Sequence, residues 1–198
     1  MSGAPREVLD TSRLSWFMGV MQAWFGRPDK LSVIRQHRDN GRKIEKWVQV
    51  EAGAALEELH EHSPETCGFG CHELDVEKCS LYVSHSPWHP GLPWPLPPSP
   101  EDMWVEFRCR TVKDLQGMRG LLADICTDVG KQKKRKRQKG HIGHFIAAAM
   151  IFLEPGVTPE VLHAWKIVLA NCPNTKVLFS EIKSDCGVPV AMLAGWEG

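Results

Sequence analysis

Apolar residues recur at spacings of three and four at Leu14, Phe17, Met18, Met21, Trp24 and Phe25, which places them on one stripe of a helix. Asp10, Thr11 and Ser12 offer capping side chains just before it, and Gly26 with Pro28 ends it. From Leu31 to Arg42 the chain is polar and basic, and Asn40-Gly41 reads as a turn into a strand over residues 44–50. Good helix formers from Ala52 to His62 predict a helix that stops near Ser63-Pro64. Leu81 and Val83 fit a short strand within 79–85. Seven prolines among the fourteen residues from Pro87 to Pro100 rule out both helix and central strand there.

Alternation returns at 103–108, where Met103, Val105 and Phe107 share one face and Trp104 and Glu106 the other. A helix carrying Val112, Leu115, Met118, Leu122 and Ile125 follows, and its Gly117 and Gly120 suggest close packing against a neighbour. Residues 145–153, all apolar, predict a buried strand, and Thr158-Pro159-Glu160 opens a helix with Val161, Leu162, Trp165, Val168 and Leu169. Two more strands, 176–182 and 188–193, flank a turn at 184–187. The ends of the two helices echo each other: Leu122-Ala-Asp-Ile-Cys126 and Leu169-Ala-Asn-Cys172.

The order of elements from residue 43, β-α-β-β-α-β-α-β-β, predicts an α+β fold. Its sheet is mixed or antiparallel, with helices packed on one face. The first six elements match a ferredoxin-like βαββαβ arrangement, followed by an added helix and a C-terminal β-hairpin. Four segments result: an amphipathic helix and basic segment at 1–42, a first α/β half at 43–86 with a Cys/His-rich loop, a Pro/Trp-rich linker at 87–100, and a second α/β half at 101–198.

Charge alters this picture at one place. The run KQKKRKRQK holds Lys131, Lys133, Lys134, Arg135, Lys136, Arg137 and Lys139, seven of the chain's 24 basic residues, with no acid among them. Like charges repel and resist burial, so the run reads as a solvated, projecting loop at 131–139. Such a loop contacts phosphates or serves as a nuclear import signal, the alternative being a solvated loop without a partner. Arg108, Arg110, His141 and His144 would extend the patch. Net charge is zero, so attraction for nucleic acid has to come from this local patch and not from overall charge.

Composition otherwise fits a globular chain of one large or two small domains, 42% hydrophobic and 24% charged. The longest apolar run is about half of what a membrane-spanning helix needs, and no secretory signal opens the sequence. Seven cysteines, an odd number, point to a reducing interior, nuclear or cytoplasmic.

Several of those cysteines stand near histidines, in His60-x-His62-x4-Cys67-x3-Cys71-His72-x6-Cys79. Zinc takes four thiolate or imidazole ligands in a tetrahedron, and His62, Cys67, Cys71 and Cys79 are the preferred set for a structural zinc. A zinc deaminase is excluded, because His72-Glu73 is not followed by the Pro-Cys-x-x-Cys that such a site requires. The tetrapeptide His141-Ile-Gly-His144 resembles the nucleotide-binding signature of class I aminoacyl-tRNA synthetases and related nucleotidyltransferases. The resemblance covers these four residues and implies a nucleotide-using enzyme with both histidines at its site.

No glycine-rich phosphate loop or nucleophile elbow is present. The residues therefore point first to a non-enzymatic regulatory protein that binds nucleic acid, RNA favoured, through the polybasic run. A protein-interaction role, with residues 14–25 or 87–100 as docking surfaces and no membrane partner, is the second expectation.

Overall fold

A computed structural model describes residues 13–40, 44–62, 71–72, 81–83, 103–139 and 144–197. The capping residues Asp10 to Ser12 and the Pro/Trp-rich stretch 87–100 lie outside them. The elements in order are α1 (Arg13–Phe25), α2 (Pro28–Asn40), α3 (Glu45–His62), β1 (Cys71–His72), β2 (Leu81–Val83), β3 (Met103–Thr111), α4 (Leu115–Lys139), β4 (His144–Phe152), α5 (Pro159–Leu169), β5 (Lys176–Lys183) and β6 (Pro189–Glu197).

The sheet runs β1-β2-β3-β4-β6-β5. β3 and β4 pair in parallel, from Met103 opposite His144 to Thr111 opposite Phe152, and every other pairing is antiparallel. A parallel pair needs a crossover connection, and α4 supplies it. The chain is thus α+β with a mixed sheet, and β5 and β6 form the expected hairpin around Ser184 to Gly187.

Helices cover both faces of the sheet, not one. Strand β4 shows why: its residues are apolar at every position from Phe145 onward, so each face needs its own cover. Ile146, Ala148, Met150 and Phe152 pack with Met103, Val105 and Phe107 under α1, α2 and α3. Ala147, Ala149 and Ile151 pack with Met192, Ala194 and Trp196 under α4 and α5. Trp196 donates its indole N–H to the Leu169 carbonyl at 3.0 Å, so its one polar atom is satisfied in the core.

The stripe on α1 is buried as its spacing predicts. The helix sits close over β6 because Gly195 has no side chain: a Cβ there would lie 2.7 Å from Leu14 Cδ1 and 2.8 Å from Met18 Sδ. Pro28 both ends α1 and opens α2, a position proline suits because the first helical N–H has no intrahelical partner. The polar segment after it is helical, held by Leu31 and Ile34 in the core.

Residues 44–50 are not a strand. Ile44, Val48, Ala52 and Leu56 are buried at a spacing of four, whereas Val50, which alternation would place beside Ile44 and Val48, is 67% exposed. Over seven residues the two periods share Ile44 and Val48, and the helix formers that follow decide for 3.6. With that strand helical, the ferredoxin-like order of the first six elements is not realised. Of the two glycines read as packing positions, Gly117 is tight, a Cβ there lying 3.3 Å from Val112 Cγ1, while Gly120 faces open space.

Candidate nucleic-acid interface

The polybasic run is helix, not loop. Asp114 Oδ1 accepts the Gly117 N–H at 2.8 Å and closes the open start of α4. Met118, Leu121, Ile125 and Val129 then form its buried stripe. Beyond Val129 the helix continues from Gly130 to Lys139, a further ~15 Å at 1.5 Å per residue. Lysine, arginine and glutamine rank just below alanine as helix formers, and cations near a helix C-terminus interact favourably with its dipole, by about 0.3–1 kcal/mol each near the last turn. Like-charge neighbours three and four apart oppose this by about 0.2–0.5 kcal/mol per pair. The balance leaves the backbone helical where charge alone suggests a loop.

Helical geometry decides how the seven cations are displayed. Each residue turns about 100° from the last, so the seven basic positions 131, 133, 134, 135, 136, 137 and 139 are spread around the helix backbone and do not fall on one stripe. Lys134 is exposed. Lys131 lies 3.8 Å from Asp128 Oδ1 with its own side chain 63% exposed. Lys133 donates to the Asn174 carbonyl at 2.9 Å and so ties the helix to the turn between α5 and β5. For Arg135, Lys136, Arg137 and Lys139 the backbone alone is described.

The patch is not extended in the way the sequence suggests. Arg108 donates from Nε and Nη2 to the two carboxylate oxygens of Asp128 at 2.8 and 2.9 Å, and Arg110 pairs with Asp124. Burial disfavours the Arg108 cation, but the Asp128 carboxylate more than offsets this and raises its pKa. His144 opens β4 with Nδ1 2.9 Å from Glu197 Oε1. These groups are engaged internally and do not extend the basic end of α4.

Asp124 and Asp128, one turn apart on α4, take Arg110 and Arg108 from neighbouring same-face positions of β3. Two strand residues apart spans about 6.6 Å and four helix residues apart about 6.0 Å, so an Arg-x-Arg on a strand matches an Asp-x3-Asp on the helix packed above it. That signal was present at 108, 110, 124 and 128.

Of the zinc set, Cys67 and Cys79 lie outside the described residues, His62 ends α3 and Cys71 begins β1. Among the described residues no three His, Cys, Asp or Glu side chains gather as a metal site. His141 is outside them, and His144 enters a strand, whereas the synthetase-like signature opens a helix. The stripe at 14–25 considered for partner docking faces the protein's own core. The opposite side of α1, with Ser15, Trp16, Gly19, Val20 and Ala23, lines a groove of about 490 Å³ against Ala55 and Glu58. Among the described residues no helix is long and apolar enough to cross a membrane. None of the protein-family models, curated proteins or solved structures compared with the chain matches it.

Proposed function

We propose that the chain is a non-enzymatic regulatory protein that binds nucleic acid, RNA favoured, with the basic end of α4 as the contact element. The observation that carries this reading is the continuation of α4 beyond the buried Val129 through seven basic residues and no acid to Lys139. A helical segment with seven basic positions in nine residues concentrates positive charge for phosphate contact, and a helix already formed loses less entropy on binding than a flexible loop would. Lysine and arginine so arranged read charge more than base edges, so sequence preference is small.

Full engagement of the seven cations gives a slope of log K on log salt of about −5 to −6. Replacing Lys133, Lys134, Arg135, Lys136 and Arg137 by Gln flattens that slope by about 4, at roughly 0.7 to 0.9 per lost contact. His144→Ala leaves the slope unchanged, since His144 is engaged with Glu197 and stands apart from the basic end of α4. Titration of labelled mixed-sequence RNA at several salt concentrations tests this. Absence of wild-type binding at about 50 mM salt, or a five-residue variant that binds with the wild-type slope, overturns the reading.

A further inference from the structure

The two cysteines of the sequence echo, Cys126 and Cys172, meet in the fold. Cys126 lies on α4 one turn before the buried Val129, and Cys172 follows α5 in the connection to β5. Their sulfurs are 3.5 Å apart and both thiols are free. A disulfide needs a sulfur separation of about 2.05 Å, so an approach of about 1.5 Å closes the bond. The contact joins the same two elements as the Lys133 bond to Asn174, two residues beyond Cys172.

We propose that Cys126 and Cys172 form a reversible disulfide that staples α4 to the α5–β5 connection, with a small-molecule disulfide such as oxidised glutathione as the oxidant. Cys126, half-buried where Cys172 is buried, is the thiol that meets the oxidant. Its thiolate attacks one glutathione sulfur, a mixed disulfide forms, and one glutathione thiolate leaves with the electron pair of the broken S–S bond. The Cys172 thiolate then attacks the Cys126 sulfur and expels the second glutathione thiolate. The two protein protons pass to solvent or to the departing glutathione. The protein pair loses two electrons and the glutathione pair gains them.

Burial and the contact with Cys172 push the Cys126 thiol up to about 11. Attack requires the thiolate, so between pH 7 and 9 the rate rises about tenfold per pH unit.

The experiment treats the full chain with oxidised glutathione, quenches free thiols and maps peptides by mass spectrometry without reduction. Trypsin releases Cys126 within 120–131 and Cys172 within 167–176, and the expected result is these two peptides joined, with a loss of two mass units and reversal by a reducing agent. Closing a loop between residues 46 apart raises the melting temperature by roughly 8 to 16 °C, a shift absent in Cys126→Ser. Because mapping uses the wild-type protein, a variant that fails to fold does not spoil the test. A stable glutathione adduct on Cys126 with no joined peptide, or no oxidation of either cysteine at pH 9, refutes the proposal. The test is independent of whether RNA binds.

Discussion

Replacing Arg108 by Met tests how much the ion pair beneath α4 contributes. Methionine keeps the aliphatic stem and removes the guanidinium, leaving an Asp128 carboxylate whose side chain is 7% exposed. Removing one partner of a fully buried pair costs about 3–5 kcal/mol. Here Arg108 is 31% exposed, and Lys131 at 3.8 Å can move toward the orphaned charge, so the expected loss is about 2–3 kcal/mol. For a chain of this size that lowers the melting temperature by about 5–10 °C. Arg110→Met, which breaks the more exposed pair with Asp124 (side chains 49% and 39% exposed), costs at most about 1 kcal/mol. The assay is thermal and urea unfolding of wild type and both variants at pH 7. Equal losses for the two arginine variants refute the argument.

Gly195→Ala forces a methyl group against Leu14 and Met18 and is expected to cost about 1–3 kcal/mol in urea unfolding. Gly120→Ala, at an open helical position, should stabilise by about 0.5–1 kcal/mol in the same assay. The Glu181 carboxyl is held below its ordinary value of 4.5, chiefly by the hydrogen bond from Lys166 and against the effect of burial. A lowered carboxyl stabilises the fold above that value and loses the contribution as pH falls below it. Glu181→Gln should thus be less stable than wild type at pH 7 and show a shallower loss on acidification, read from urea midpoints at pH 7 and 3.

Elements with long, unambiguous periods were legible in the sequence. The α1 stripe, the alternation of β3, the unbroken apolar run of β4 and the capped start of α5 each admit one structure, and each is there. Residues 44–50 were misread because a window of seven residues satisfies both periods at Ile44 and Val48. Helix α2 escaped notice because two core residues, Leu31 and Ile34, hold an otherwise polar segment. The basic run was located by its charge but given the wrong backbone, since repulsion was weighed without the helix propensity of lysine and arginine or the dipole at the end of α4. The arginine–aspartate ladder was a tertiary match between two elements, legible only once α4 was known to lie over β3. The cysteine echo was visible as a pattern, but no local rule says that the middle of α4 will touch the connection after α5.

The order of strands β4-β6-β5 has a consequence for the timing of assembly. A chain emerging from the ribosome presents β4, apolar along its whole length, well before β6 is available to pair with it. Until then one edge of that strand has exposed N–H and C=O groups beside apolar side chains, the condition under which nascent chains associate wrongly. Helix α1, the first described element to be made, waits longer still, because Leu14 and Met18 pack against Gly195 of the last strand. The first and last elements are thus each other's cover, and the body of this protein closes only when synthesis has passed β6.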